Sequence, residues 1–130
     1  MSLIISVLPG TFMICRLEPE AVIPEWASAG SFISITRTED ELSIVCAQTS
    51  VPEGVKSDRG WRCFKVQGPL DLSLTGVLAS LARPLAEARI NIFAISTYDT
   101  DYLLVKDDKV SQAAEVLRAS GHRLADEQPG

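Results

Sequence analysis

The stretch INIFAISTYDTDYLLVK, residues 90–106, decides how the second half of the chain folds. From Ile90 to Thr97 the side chains alternate, with Ile90, Ile92, Ala94 and Ser96 on one face and Asn91, Phe93, Ile95 and Thr97 on the other. From Asp101 to Lys106 the same period places Leu103 and Val105 together, opposite Tyr102 and Leu104. Tyr98, Asp99 and Thr100 form a short polar link, so the stretch predicts an antiparallel hairpin.

Helical spacing lies on both sides of that hairpin. Upstream, Leu74, Val77, Leu78, Leu81 and Leu85 recur at turns of a helix that Ser73 would cap and Pro84 would kink or end early. Downstream, Asp107 or Asp108 opens a helix carrying Val110, Ala113, Ala114 and Leu117, which Gly121 stops. A strand from Trp61 to Gln67 precedes the first helix, and His122 to Ala125 supplies a last short one. The order β-α-β-β-α-β predicts an α+β fold of the ferredoxin-like class, with an antiparallel sheet and both helices on one face.

The first half is leaner. Strands are expected at Leu3–Leu8 and Thr11–Glu18, then at most two helical turns broken by Pro24, then a hairpin from Ser31–Thr38 and Glu41–Gln48. Residues 51–60, VPEGVKSDRG, have loop composition and link the halves. Ile35 to Val45 aligns without a gap on Ile95 to Val105, placing Glu39 on Asp99 and Glu41 on Asp101. The expectation is a tandem repeat, 1–60 degenerate and 61–130 complete.

Composition excludes several classes. The 130 residues are 46% apolar, enough for a globular core, with no run long enough to span a bilayer and no charged leader at the N-terminus. Seventeen acidic against twelve basic residues give a net charge of −5, which argues against polyanion partners. Cys15, Cys46 and Cys63 sit apart in apolar runs without a CxxC, and the lone His122 reads as a surface or cap residue, so no metal site is expected. For enzymes of this fold class that bind phosphate through an arginine-bearing loop, GPLDLS has no arginine. The expected chain is cytoplasmic, with no catalytic residues, no cofactor, no nucleic acid and no membrane partner.

The run from Gly68 to Lys106 resembles the C-terminal repeat of small tandem ACT-domain proteins. The elements that carry this are Gly68-Pro-Leu-Asp71, then Thr75-Gly76 opening a helix, then Ser96-Thr97-Tyr98 and Asp101. The chain is similar to the cytosolic arginine sensors of the CASTOR type and to the regulatory ACT pairs of aspartate kinases, with two repeats where the former have four and without the kinase domain of the latter. The resemblance implies a non-enzymatic regulatory protein that binds a small ligand, an amino acid such as arginine or a similar metabolite, at a repeat or dimer interface. It marks Asp71, Leu72, Thr75, Gly76, Ser96, Thr97 and Asp101 as the ligand-binding set, with Asp101 at the acidic position of the arginine-sensor motif. Apolar runs in several strands, with only two long helices to cover them, predict a homodimer, and the regulatory role implies a further, unidentified protein partner. The rival reading is a module for oligomerisation or protein contact that has lost its ligand.

Overall fold

A computed structural model describes residues 1–71 and 73–125. The chain divides into two compact units, one from Gly10 to Trp61 and the other from Met1–Pro9 together with Arg62 onward. Residues 1–9 therefore lie with the C-terminal unit and not with the segment that follows them in sequence.

In the C-terminal unit, β1 is Ile4–Val7 and β5, Ser57–Val66, contributes its last residues. They are followed by α1 (Val77–Glu87), β6 (Phe93–Ser96), β7 (Asp101–Lys106), α2 (Val110–Ala119) and β8 (Arg123–Leu124). The strand order is β8-β1-β5-β7-β6, so the β-α-β-β-α-β set from β5 to β8 has one strand more than the sequence predicts. β1 enters between β5 and β8, antiparallel to the first (Ile5 opposite Val66) and parallel to the second (Ile4 opposite Arg123). The sheet is mixed for that reason, not purely antiparallel. Both helices pack on one face, where Val77, Leu81 and Leu85 of α1 and Ala113 and Leu117 of α2 meet Ile5, Phe64, Val66, Leu103 and Val105.

Two expectations about α1 change. The helix starts at Val77 and not near Ser73, because Asp71 and Ser73 close a turn of their own and Gly76, at φ +79°, bends the chain through the left-handed region just before the helix. Pro84 does not end it, since the helix runs on to Glu87. Proline at 84 has no N–H for the Ser80 carbonyl, and that carbonyl instead lies 3.2 Å from Nε2 of His122. His122 is only 4% exposed, and its Nδ1 accepts the Leu3 N–H at 3.1 Å. An accepting Nδ1 leaves Nε2 as the donor to Ser80. The expected surface histidine is therefore a buried joint between the start of β1, α1 and the entry to β8.

In the N-terminal unit the order is β3-β4-β2-β5, with β2 at Phe12–Leu17, β3 at Ser34–Arg37 and β4 at Leu42–Ala47. β5 begins earlier than its composition suggests, at Ser57, because Ser57 to Trp61 pair with β2 across a register shift between Phe12 and Ile14. A core of Met13, Cys15, Leu42, Ile44 and Cys46 is covered by Ala21, Trp26 and Ala27 rather than by a full helix. The only regular structure in that cover is a 3-10 turn, Glu25–Ser28, starting just after Pro24. The Arg37 guanidinium holds the cover down by donating to the carbonyls of Pro19 and Ala21.

The hairpins β3–β4 and β6–β7 share one turn. Thr38 N–H donates to the Glu41 carbonyl at 2.9 Å and Thr97 N–H to the Thr100 carbonyl at 2.8 Å. In each, the threonine Oγ1 accepts the N–H three residues on, at 3.2 and 3.3 Å. The closing rungs are Arg37 opposite Leu42 and Ser96 opposite Asp101. Thr38 therefore corresponds to Thr97 and Leu42 to Asp101, one residue off the gapless alignment. That alignment matched apolar residues, whereas the turn is set by the threonine hydroxyl.

All three cysteines are free and buried. Burial, and then the neighbouring Cys46 thiol, push Cys15 up to about 11, and burial alone pushes Cys63 up to about 12. The Cys46 thiol is also raised, by burial. Thiolate is the reactive form. We expect no fast-reacting thiol in the native protein with Ellman's reagent at mildly alkaline pH, and three after denaturation. A fast native reaction would mean that these strands open readily.

Candidate functional site

The site is built where β5 leaves the sheet. Gly68 permits a close approach there: a Cβ on it would stand 2.9 Å from the Asp99 carbonyl oxygen and 3.2 Å from Thr100 Cβ. Leu70 N–H donates to that same Asp99 carbonyl at 2.7 Å, and Thr100 Oγ1 donates to the Val66 carbonyl at 2.7 Å. The 67–76 loop and the 97–100 turn are thereby fastened together. Thr100 is only 5% exposed, although its place in a short polar link gives no sign of that burial.

Between loop and turn lies a cleft of about 130 Å³. Leu70, Leu74 and Val77 form its apolar wall, and Asp71, Ser96, Thr97, Tyr98, Asp99, Thr100 and Asp101 complete it. Ser96 and Asp101 enter because they are the last rung of the β6–β7 ladder on the face that carries Leu103 and Val105 into the core. Ser96 Oγ donates to Asp101 Oδ1 at 2.6 Å. One Asp71 oxygen accepts the Ser73 N–H at 2.9 Å and the Ser73 hydroxyl at 2.8 Å, which holds that exposed carboxyl below its ordinary value.

Of the residues indicated by the sequence, Asp71, Ser96, Thr97 and Asp101 line this one cleft. Thr75 and Gly76 do not line it; they lie in the approach to α1, which has no side-chain cap at its N-terminus. Leu72 lies outside the described residues. Leu70 and Tyr98, which carry the resemblance without belonging to the expected ligand-binding set, also line it, as do Leu74 and Val77, expected only as helix positions, and Asp99 of the polar link. A wall of this kind has no sequence signal of its own, since leucine in a loop before a helix reads as helix.

The charged groups lining the cleft are all carboxylates: Asp71, Asp99 and Asp101. A cationic group is the partner such a wall favours, because a carboxylate–cation hydrogen bond is roughly twice as strong as a neutral one. In the N-terminal unit the matching hairpin positions carry Arg37 for Ser96, Glu41 for Thr100 and a fully buried Leu42 for Asp101, so the same acidic rung is not repeated there.

A family model described as an ACT domain matches residues 56–119, and a second, described only as an N-terminal domain, matches residues 10–54. The chain is 32% identical over 116 residues to the human cytosolic arginine sensor for mTORC1 subunit 1, covering 83% of this chain and 35% of that protein. The chain thus spans about a third of the length of the curated relatives it matches. A crystal structure of an Agobacterium tumefaciens protein is 43% identical, with a TM-score of 0.93, covering 99% of this chain and 96% of that one. The regulatory subunit of aspartate kinase from Thermus thermophilus matches with a TM-score of 0.64 at 11% identity, covering 89% of this chain and 95% of that one, a likeness of fold alone.

Proposed function

This chain belongs to the ACT-domain family, and from that premise we propose that it is a non-enzymatic regulatory protein that binds a free amino acid in the acidic cleft. The observation that carries the reading is the convergence of Asp71, from the 67–76 loop, with Ser96, Thr97 and Asp101, from the β6–β7 hairpin, on one small cleft. Asp101 takes the cationic group of the ligand on the carboxylate oxygen that Ser96 leaves open. The uncapped start of α1, where Val77 lines the cleft, offers backbone N–H groups and a dipole end to the carboxylate. Arginine is the first candidate, because a relative is named as an arginine sensor; lysine presents a comparable cation.

At about 130 Å³ the cleft is well below the roughly 300 Å³ at which ligand pockets begin, so this chain alone encloses only part of an amino acid. Leu74, 49% exposed, and Tyr98, 79% exposed, form an apolar rim that a second copy would cover, completing the site in a homodimer. Ligand then stabilises one arrangement of that rim and so governs what docks on it. The non-enzymatic reading is supported by thiols that burial keeps protonated, and by a histidine whose two ring nitrogens are both engaged in holding β1 and α1. We read residues 10–61 as a degenerate ACT-like repeat, on the shared hairpin turn, and place the protein in the cytoplasm by analogy with the cytosolic relative.

A thermal-shift screen against the common amino acids tests this. A ligand at about 100 times its Kd raises stability by about 2.7 kcal/mol. Asp101→Asn keeps the shape and removes the charge, and is expected to weaken the responding amino acid by roughly tenfold or more. A response unchanged in that variant moves the site elsewhere. No response to any amino acid overturns the sensor reading in favour of an interaction module built on the exposed rim.

A further inference from the structure

A second groove, of about 410 Å³, lies at the other end of α1. Ala82 and Ala86 of the helix and Ile90 and Ile92 beyond it line its apolar part, and Arg89 and Asn91 supply its polar groups. Its size falls within the range of small-molecule pockets, and apolar walls with a few convergent polar groups are what such pockets show.

Arg89 is the unusual member. The end of α1 is a Schellman motif, in which Arg89 N–H donates to the Ala86 carbonyl and Ile90 N–H to that of Leu85, both at 2.9 Å. The residue just past the cap of such a motif is left-handed, a place glycine takes without steric cost. Here it is arginine, at φ +61°, the one non-glycine residue with positive φ among those described. Stabilising the helix end does not require this, because an arginine in the last turn would meet the helix dipole without strain. The guanidinium has no ion-pair partner among the described residues. The left-handed turn serves the cap, but an arginine kept where glycine would be unstrained directs attention to binding.

We propose that this groove binds a small aliphatic carboxylate. The Arg89 guanidinium presents two parallel N–H donors to the carboxylate, the Asn91 amide adds a third, and Ala82, Ala86 and Ile92 cover the aliphatic body. The acidic cleft would repel the same molecule, so the two sites select opposite charges.

The test is a titration of the ¹⁵N-labelled full chain with isovalerate, followed by amide shifts, with isovaleramide as the uncharged control. For a probe this small we expect a Kd of about 1 mM, with shifts at 82–92, and binding of the amide weaker by about tenfold. Arg89→Gly should raise the melting temperature, since glycine relaxes the left-handed position, while weakening isovalerate by about tenfold or more. Gain of stability with loss of binding is a combination that a purely structural arginine would not produce. No shifts in wild type, shifts confined to the acidic cleft, equal binding of the amide, or unchanged binding in Arg89→Gly would each overturn the proposal.

Discussion

His122→Ala is expected to destabilise the C-terminal unit by about 3 kcal/mol or more, roughly 10 °C in melting temperature for a chain of this size. The substitution removes the acceptor of the Leu3 N–H and the donor to the Ser80 carbonyl together. A buried polar group left without a partner costs about 1–3 kcal/mol, so two of them approach the whole effect before the vacated ring volume is counted. Differential scanning calorimetry of the wild type and the variant reads it directly. His122→Gln, which offers an amide oxygen to Leu3 and an N–H to Ser80, should recover a large part. A loss below about 1 kcal/mol in the alanine variant would mean that water takes over both roles, and that the joint is not holding β1.

The same joint makes a sharper prediction about Pro84. Alanine there restores the N–H that a helix would give to the Ser80 carbonyl, so in a Pro84→Ala background the His122→Ala change orphans only the Leu3 amide. Its cost should fall by about 1 kcal/mol, a coupling that a double-mutant cycle resolves. Additive effects would show that proline and histidine share no acceptor in solution.

Much of the fold could be read from periodicity, and what could not has identifiable physical causes. The β7 strand begins and ends where alternation places it, but β6 begins three residues late, because Ile90 is still tied to Leu85 at the helix end. β1 was foreseen as a strand, yet its place between β5 and β8 depends on pairing with residues some sixty and 119 positions away, as Ile5 with Val66 and Ile4 with Arg123 show. Alternation says which face a side chain takes and nothing about which strand lies beside it. His122 was misread for a related reason. Its partners are a backbone amide from the start of the chain and a carbonyl freed by a proline, and neither leaves a mark near position 122. For the cleft, Asp101 and Ser96 follow from the hairpin, but its apolar wall of Leu70, Leu74 and Val77 follows only from a helix that starts later than its composition suggests.

Gly68→Ala should separate binding from folding. Gly68 is not at positive φ, so its glycine is required by space and not by backbone freedom. The added methyl would meet the Asp99 carbonyl at 2.9 Å, a backbone atom that cannot swing aside as a side chain tip would. The 97–100 turn must therefore lift from the 67–76 loop, stretching the Leu70–Asp99 and Thr100–Val66 hydrogen bonds, each 2.7 Å in the wild type. Overpacking of this kind costs about 1–3 kcal/mol. The larger effect falls on the cleft, whose walls are those two segments. A displacement of about 1 Å at a preorganised site weakens binding severely, so under the proposed function any amino acid found to stabilise the wild type should lose most of its thermal shift in this variant. The measurement is the ligand-induced shift compared with the unliganded melting temperature, wild type against variant. Loss of both by the same proportion would mean a general weakening of the unit. A retained ligand shift in a destabilised protein would show that the ligand does not sit between the loop and the turn, and the site would then have to be sought away from Asp101.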